Sequence, residues 1–235
     1  MGGFSSTATW YVRFRPRYPP GLIDLLVRAA GLGAESRILD LGSGPGHVAL
    51  ALAPRVGEVV AVDVEAEMLA QIDAPNVRTV LARAEDVDES LGRFDLVTAG
   101  RSFHWFDHAV MFDRLPHLSD QVALLGERAG RDAQSTVLAI ALELLGEEQP
   151  RAQRDRYADV LAASPYSNVE LLEVEVERTW TADSLIGLAY STSVASPDRL
   201  GDLREEFERR VRAELGGEHR ELVAVSALLG RRSDQ

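Results

Sequence analysis

The chain has 235 residues, of which 46% are hydrophobic and 26% charged, and its 25 basic and 37 acidic residues give a formal net charge of −12. This length and composition suit one buried α/β domain, and no apolar run approaches the roughly 18–20 residues that a membrane-spanning helix needs. The acidic surplus would repel a phosphate backbone, and the first residues lack a signal-peptide pattern, so we expect a cytoplasmic protein with no nucleic-acid and no membrane partner.

Two absent residue types exclude whole classes of chemistry. The chain has no cysteine, which excludes disulfides, thiolate nucleophiles and cysteine-bound zinc. All 25 basic residues are arginines, so the lysine of a phosphate-binding P-loop and lysine Schiff-base chemistry are excluded as well. The histidines show no ligand spacing, and we therefore expect no metal site.

Alternating strand and helix patterns fill the first half of the chain. Apolar runs predict strands at residues 37–41, 59–62, 77–81, 94–99 and 122–125. Helical patterns separate the first three of these, at residues 47–53 and 66–72. Strands that alternate with helices indicate parallel βαβ units, so the sequence predicts a doubly wound α/β fold with a mostly parallel sheet.

After about residue 130 helices predominate. Helical patterns predict helices at residues 136–145, 151–163, 181–190 and 202–215. Alternating apolar residues predict two further strands, at residues 169–176 and 222–229.

A glycine-rich turn, Asp40-Leu41-Gly42-Ser43-Gly44-Pro45-Gly46, connects the first strand to the first helix. Glycines let the backbone turn tightly and approach a ligand such as NAD, FAD or S-adenosylmethionine. A dinucleotide fingerprint that starts at Gly42 would place its third glycine at His47, whereas here it comes at Gly46. Asp40 stands where dinucleotide binders usually have an apolar residue, and its carboxylate can accept hydrogen bonds from a ligand ammonium group or from loop amides. The pattern favours S-adenosylmethionine.

Asp63 is the second candidate binding residue. It ends the second strand, 17 residues after Gly46. An acidic side chain at this place can accept hydrogen bonds from both hydroxyls of a ribose. The alternative is a surface aspartate at a strand end.

Together these residues resemble the class I S-adenosylmethionine-dependent methyltransferases. Residues 58–63, with Glu67-Met68-Leu69, are similar to the second motif of this family, and residues 82–86 are similar to its third. Residues 98–105 resemble the segment that follows the fourth strand in small-molecule methyltransferases. The resemblance covers about residues 10–125. It implies a seven-stranded, mostly parallel sheet with an antiparallel last strand, S-adenosylmethionine as cofactor and S-adenosylhomocysteine as product.

The resemblance also implies which residues contact the cofactor. In the third motif, the amide of Ala84 and the side chain of Glu85 would meet the adenine. The remaining contacts would come from the glycine turn, the second motif and the end of the fourth strand: Asp40, Gly42, Ser43, Gly44, Gly46, Asp63, Val64, Met68 and Arg101.

The opening segment, residues 11–19, resembles an element that covers the cofactor in some family members. Arg15 could pair with the cofactor's carboxylate and Tyr18 could close over its methionine portion. The alternative is an arm that only packs on the domain. We therefore predict one domain over residues 1–235, made of an arm at 1–30, a cofactor-binding core at 35–130, and an acceptor-side cap with the rest of the sheet at 131–215.

His104 is the candidate catalytic residue, because it follows the fourth strand at the edge where open α/β sheets bind ligands. It could deprotonate an acceptor hydroxyl or amine, position the acceptor, or pack against the fold and bond a backbone carbonyl. Phe103 and Trp105 are predicted to line the acceptor pocket, with core packing as the alternative. Tyr190 is a further predicted acceptor contact, with an ordinary helix residue as the alternative.

One segment departs from the family pattern. Many members have a Pro-Gly-Gly turn before the fifth strand, whereas residues 114–121 contain no glycine. This part of the acceptor pocket, and residues 114–165 in general, are therefore not assigned by analogy.

The predicted reaction is methyl transfer to an oxygen or nitrogen of a small molecule, as in secondary metabolism. Two other functions stay open: an S-adenosylmethionine-binding enzyme of this fold that does not methylate, and a non-catalytic cofactor-binding partner. S-adenosylhomocysteine accumulates only if the methyl group is transferred. The sequence specifies neither the acceptor nor the oligomeric state.

Overall fold

A computed structural model describes residues 7–128, 133–148 and 157–233 of the chain. Within these residues the chain forms seven strands: β1 (Arg37–Leu41), β2 (Glu58–Asp63), β3 (Val77–Leu81), β4 (Leu96–Gly100), β5 (Gln121–Arg128), β6 (Asn168–Thr181) and β7 (Glu218–Arg231). It also forms ten α-helices: α1 (Ala8–Phe14), α2 (Pro20–Ala29), α3 (Ala49–Leu52), α4 (Ala66–Leu69), α5 (His108–Leu118), α6 (Ala133–Leu145), α7 (Tyr157–Ala162), α8 (Ala182–Tyr190), α9 (Pro197–Leu200) and α10 (Arg204–Glu214). Short 3₁₀ turns, among them Ala84–Asp86 and Phe103–Trp105, connect several of these elements.

The seven described strands form one sheet in the order β3-β2-β1-β4-β5-β7-β6. Strand β1 pairs in parallel with β2 on one side and with β4 on the other. The chain thus leaves β1 in one direction and returns on its opposite side, and ligands of doubly wound folds bind beside such a reversal, at the carboxyl ends of the strands. The predicted doubly wound α/β fold with a seven-stranded sheet is confirmed.

All five strands predicted in the first half are present, with bounds shifted by at most three residues. In the second half, β6 and β7 run for 14 residues each and are longer than the two strands predicted there. The predicted helix at 151–163 is seen as α7 from Tyr157 onward, and residues 151–156 lie outside the described residues. Thr181 caps α8 through a capping box with Ser184.

Four of the described helices lie where no helix is predicted: α1, α2, α5 and α9. The second half of α5 lies in the segment that the resemblance leaves unassigned. Asp107 begins it by accepting hydrogen bonds from the amides of Ala109 and Val110, at 3.1 and 3.2 Å. Pro116 lies in the last turn of α5, where it ends the helix soon afterwards.

The chain forms two compact units, each made of three stretches. Unit 1 consists of Met1–Arg17, Arg128–Ala152 and Glu175–Ala224. Unit 2 consists of Tyr18–Glu127, Gln153–Val174 and Val225–Gln235. The division does not follow the predicted limits of arm, core and cap, because β6 and β7 each contribute residues to both units.

The core of unit 2 lies on the sheet and is formed by the buried faces of β1, β2, β4 and β5. Their near-continuous apolar runs are typical of parallel strands covered on both sides. Helix α5 completes this core with Met111, Leu115 and Leu118, which are all buried.

Unit 1 has a separate core, formed by helices α6, α8 and α10 with Trp180. Phe207 and Val211, one helical turn apart on α10, are fully buried in it. Helix α1 packs closely on α8 at Gly187, where an added Cβ would clash with the ring of Phe14. The N-terminal segment is thus an integral helix of unit 1.

Candidate functional site

The glycine turn after β1 has the backbone that only glycine adopts readily. Gly42, Gly44 and Gly46 all have positive φ, at 60°, 53° and 81°. A Cβ at Gly42 would lie 2.5 Å from the Cβ of Ser102, and one at Gly46 would lie 2.8 Å from Ile72. At Gly44 an added Cβ would meet nothing within 4 Å, so this glycine faces open space. Gly42 and Gly46 therefore serve close packing, and Gly44 leaves room for a ligand.

Ser43 gives an independent indication of a ligand at the same turn. Its side chain is buried, and its Oγ has no hydrogen-bond partner among the described residues. Buried hydroxyls without a partner are uncommon in native proteins and call for a ligand or a water molecule. The open face of Gly44 and the unsatisfied Ser43 hydroxyl fit a small polar ligand that lies on this turn.

Asp40 is fully buried beneath the turn. Its Oδ1 accepts a hydrogen bond of 2.7 Å from the hydroxyl of Thr98, and its Oδ2 accepts one of 3.2 Å from the amide of Ala49. Burial raises the pKa of Asp40 to about 7, in spite of these two hydrogen bonds. Of the two roles that the sequence leaves open for this carboxylate, the geometry realises the bond to a loop amide, which fixes the start of α3.

Asp63 lies at the end of β2, directly against the glycine turn. Its Oδ2 accepts a hydrogen bond of 2.7 Å from the amide of Gly44, and its Oδ1 accepts one of 3.0 Å from the amide of Glu65. The amide of Ser43 donates to the carbonyl of Val62 at 3.0 Å, which joins the turn to the same strand. The carboxylate is half-buried and keeps lone pairs for further donors. Asp63 can therefore hold the turn and accept ligand hydroxyls together.

The two predicted contacts that follow β2, Val64 and Met68, differ in exposure. Val64 directly follows Asp63 and is 59% exposed. Met68, on α4, is buried. An exposed valine next to Asp63 gives a flat ligand group a surface to lie on.

The third motif places Ala84 and Glu85 in a 3₁₀ turn after β3, with Ala84 buried. Glu85 Oε1 accepts a hydrogen bond of 3.0 Å from the amide of Asp107, and Oε2 accepts one of 3.4 Å from Nε of Arg83. Burial alone would raise the pKa of Glu85, but the hydrogen bonds from the Asp107 amide and Arg83 hold it below its ordinary value. Glu85 is thus ionised and connected to the segment after β4.

That segment begins with a strained residue, Arg101, whose φ is 59°. Its amide donates to the carbonyl of Leu125 at 3.0 Å, and its guanidinium forms an ion pair of 3.1 Å with Glu127, both side chains being under a tenth exposed. The guanidinium also lies over the ring of Tyr18, 4.6 Å from its centroid. The hydroxyl of Tyr18 donates to the carbonyl of Leu125 at 3.3 Å. Arg101 and Tyr18, both predicted cofactor contacts, therefore lie together at the ends of β4 and β5.

The aromatic turn Phe103–Trp105 follows. Phe103 is buried in the unit 2 core and stacks on His108 at 4.2 Å between ring centroids. This position matches the core-packing alternative for Phe103. The ring nitrogen Nε2 of His108 lies 3.0 Å from the carbonyl oxygen of Phe103. The histidine that is bonded to a backbone carbonyl in this turn is therefore His108, a residue that the sequence did not single out.

His104 and Trp105 point away from that core. His104 is exposed and Trp105 is 58% exposed, and their rings lie 4.8 Å apart. His104 is therefore not the buried, packed histidine of the structural alternative. Both side chains are accessible to a ligand at the carboxyl end of β4.

The two remaining predicted contacts belong to unit 1. Nε of Arg15 donates to Oγ of Ser191 at 2.8 Å. Tyr190 is buried, and its hydroxyl donates to Glu208 at 2.7 Å. Burial and the hydrogen bond to Glu208 raise the pKa of Tyr190 to about 12. Both side chains thus take part in the packing of unit 1.

Besides His108, the sequence did not single out Thr98 and Glu127, which also lie close to the predicted site. Thr98, which binds Asp40, is a polar residue inside an apolar strand, and this pattern could have revealed it. Glu127, the partner of Arg101, has no such pattern, because the two lie 26 residues apart on different strands. In the described parts of the chain, no three histidine, aspartate or glutamate side chains come together as a metal site. None of the described helices is long and apolar enough to cross a bilayer.

Comparisons with known proteins agree with this geometry. The family model described as a methyltransferase domain matches residues 38–126. An uncharacterised methyltransferase of Mycobacterium tuberculosis is 33% identical over 203 residues, which cover 83% of this chain and 79% of the relative.

Solved structures share the fold. A candidate type II methyltransferase from Anaeromyxobacter dehalogenans matches with a TM-score of 0.60 at 24% identity, over 93% of this chain and 98% of that protein. A phosphoethanolamine N-methyltransferase of Haemonchus contortus, solved with phosphomonomethylethanolamine and S-adenosylhomocysteine, matches with a TM-score of 0.52 at 13% identity, over 91% of this chain and 52% of that protein. With its 33% identity to the mycobacterial relative and the methyltransferase model on its glycine turn and sheet, this chain belongs to the S-adenosylmethionine-dependent methyltransferase family.

Proposed function

We propose that the protein transfers the methyl group of S-adenosylmethionine to an oxygen or nitrogen of a small molecule. The observation that carries the proposal is the turn at Gly44, which is open on one side and bonded to Asp63 on the other. This arrangement offers a cradle for a ligand that has both a polar chain and a ribose. The cofactor would supply an electrophilic methyl group on its positively charged sulfur.

The chain's own residues divide the binding of this cofactor among them. The turn at Gly44 and the hydroxyl of Ser43 lie against its amino-acid portion. Asp63 accepts hydrogen bonds from the ribose hydroxyls with the lone pairs that its two amide donors leave free. Val64 provides an apolar surface for the adenine, and Glu85 accepts from its amino group.

The exposed pair His104 and Trp105 receives the acceptor. His104 would take a proton from the acceptor hydroxyl or amine, and Trp105 would hold the acceptor in place. A small acceptor is supported by the net charge of −12, which opposes binding of a nucleic-acid backbone.

Calorimetry with S-adenosylhomocysteine tests the cofactor site. Asp63→Ala removes two charge-assisted acceptor positions, each worth about 1.5–3 kcal/mol, so we expect affinity to fall by at least about tenfold. Asp73→Ala, at an exposed position on the segment after β2, is the matched control and should bind like the wild type. Equal affinity of all three proteins would remove Asp63 from the site.

Product analysis tests the reaction. Incubation with S-adenosylmethionine and a panel of small hydroxyl and amine acceptors should yield S-adenosylhomocysteine and a methylated product together. If the cofactor binds but is consumed without S-adenosylhomocysteine, the protein catalyses a different reaction. If it binds and is never consumed across the panel, a non-catalytic binding role becomes the better interpretation.

A further inference from the structure

Helix α5 begins with half of a capping box. Asp107 supplies the side chain that accepts from the first-turn amides of Ala109 and Val110. In a complete box, a glutamate or glutamine three residues later would accept from the amide of the capping residue. That position is Val110, which has no acceptor. Glu85 takes over this task from a distant part of the chain, because its Oε1 accepts from the amide of Asp107 at 3.0 Å.

The aromatic turn Phe103–Trp105 is therefore held at both ends by residues next to the cofactor motifs. At its start, the hydroxyl of Ser102 donates to the carbonyl of Leu41 at 2.8 Å, directly before the glycine turn. At its end, Asp107 is held by Glu85 of the third motif. Between these anchors, His104 and Trp105 are exposed.

We propose that Glu85 is a positioning residue that couples occupancy of the adenine end of the cofactor site to the placement of the turn carrying His104 and Trp105. The proposal rests on the proposed function, because it requires a cofactor whose adenine reaches Glu85. Binding of the cofactor first would then prepare the turn for the acceptor.

The coupling follows from the sharing of one carboxylate. Glu85 is 13% exposed and already accepts from Asp107 through Oε1 and from Arg83 through Oε2. A ligand amino group that donates to the same carboxylate must share its charge and its orientation with the Asp107 amide. Coupling between two sites is reciprocal, so a change in the anchoring of α5 also changes cofactor affinity by the same factor.

Tryptophan fluorescence reports on this coupling without any acceptor. Subtracting the spectrum of Trp105→Phe from that of the wild type isolates the emission of Trp105 from that of Trp10 and Trp180. We expect S-adenosylhomocysteine to change this emission in the wild type and not in Glu85→Ala. The reference for the second protein is the double variant that carries both Glu85→Ala and Trp105→Phe. Glu85→Gln keeps one acceptor oxygen for the Asp107 amide but lacks the charge, so its response should lie between those of Glu85→Ala and the wild type. Asp86→Ala, at the exposed neighbouring position, is the matched control and should respond like the wild type.

Calorimetry on the same samples separates the two proposals. If the wild type binds S-adenosylhomocysteine but Trp105 does not respond, or if Glu85→Ala responds like the wild type, the coupling is wrong and the cofactor site stands. If the wild type does not bind, the proposed function fails and the coupling with it.

Hydrogen exchange of the unliganded protein decides the case in which Glu85→Ala no longer binds. Loss of the anchor should speed exchange of the amides of Asp107, Ala109 and Val110 by about tenfold or more, the low end for a hydrogen bond to a charged group. Unchanged exchange there would overturn the proposal.

Discussion

Replacing Asp40 with asparagine should remove a specific pH dependence of stability. Asp40 is buried, and burial raises its pKa from 3.8 to about 7 in the folded chain. The folded state therefore retains a proton that the unfolded chain releases near pH 3.8. Stability from the protonated carboxyl is fully present below the unfolded pKa and is lost as pH rises through about 7.

The size of the effect follows from the two pKa values. Integrating the proton difference between about pH 5 and pH 8 gives a loss of about 2–3 kcal/mol in the free energy of unfolding. Asparagine has nearly the same shape and cannot ionise. Its carbonyl can accept from the Ala49 amide, and its amide can donate to Thr98, whose hydroxyl can turn to the carbonyl of Leu39, 3.5 Å away. We therefore expect Asp40→Asn to lack this pH-dependent loss.

Urea unfolding of both proteins at about pH 5, 6, 7 and 8 measures the difference, because other titrating groups contribute equally to each. Asp73→Asn, with its charge removed from an exposed position, serves as the control. The stability difference between wild type and Asp40→Asn should change by about 2–3 kcal/mol over this range. A change below about 0.5 kcal/mol would refute the reasoning, since Asp40 would then ionise as an ordinary surface carboxyl does.

Two further predictions concern the arm and the catalytic histidine. Gly187→Ala should lower the melting temperature, because the added Cβ would clash with the ring of Phe14 and overpacking of this kind costs about 1–3 kcal/mol. A second substitution, Phe14→Leu, should recover part of the loss in a double-mutant cycle, and strict additivity would contradict the contact. His104→Gln should reduce turnover of an identified acceptor by about 10²–10⁴-fold with cofactor affinity unchanged, and a loss below about tenfold would mean that positioning alone is sufficient.

The cofactor half of the fold could be predicted from the sequence because its signals are local. Strand β1, the glycine turn and Asp63 follow one another within a short stretch. Together they form a sequence pattern that can be recognised without knowing the fold. The roles of Gly42 and Gly46 could not be predicted, since they depend on Ser102 and Ile72, which come close only after folding. Sequence patterns give the periodicity of an element, and not the partner that it meets.

Helix α5 could not be predicted from the sequence for the same reason, since its start depends on a residue distant in the chain. Its start depends on Asp107, which is a recognisable capping residue, but also on Glu85, which lies 22 residues away. Pro116 further weakens the helical pattern, although it falls in the last turn, where a missing amide matters less. The backbone contact of His108 could not be predicted either, because His104 and His108 follow the same strand and only burial distinguishes them.

The position of β7 in the sheet has a consequence for how the protein is made. This strand comes last in the chain, yet it lies between β5 and β6. During synthesis β6 leaves the ribosome well before the strand that joins it to the rest of the sheet, and the sheet cannot be completed until Arg231 has emerged. The pairings of β7 with β5 and β6 are therefore among the last of the sheet to form. A variant truncated within β7 would lose the strand that joins β6 to the rest of the sheet, whereas loss of an edge strand would leave the other pairings intact.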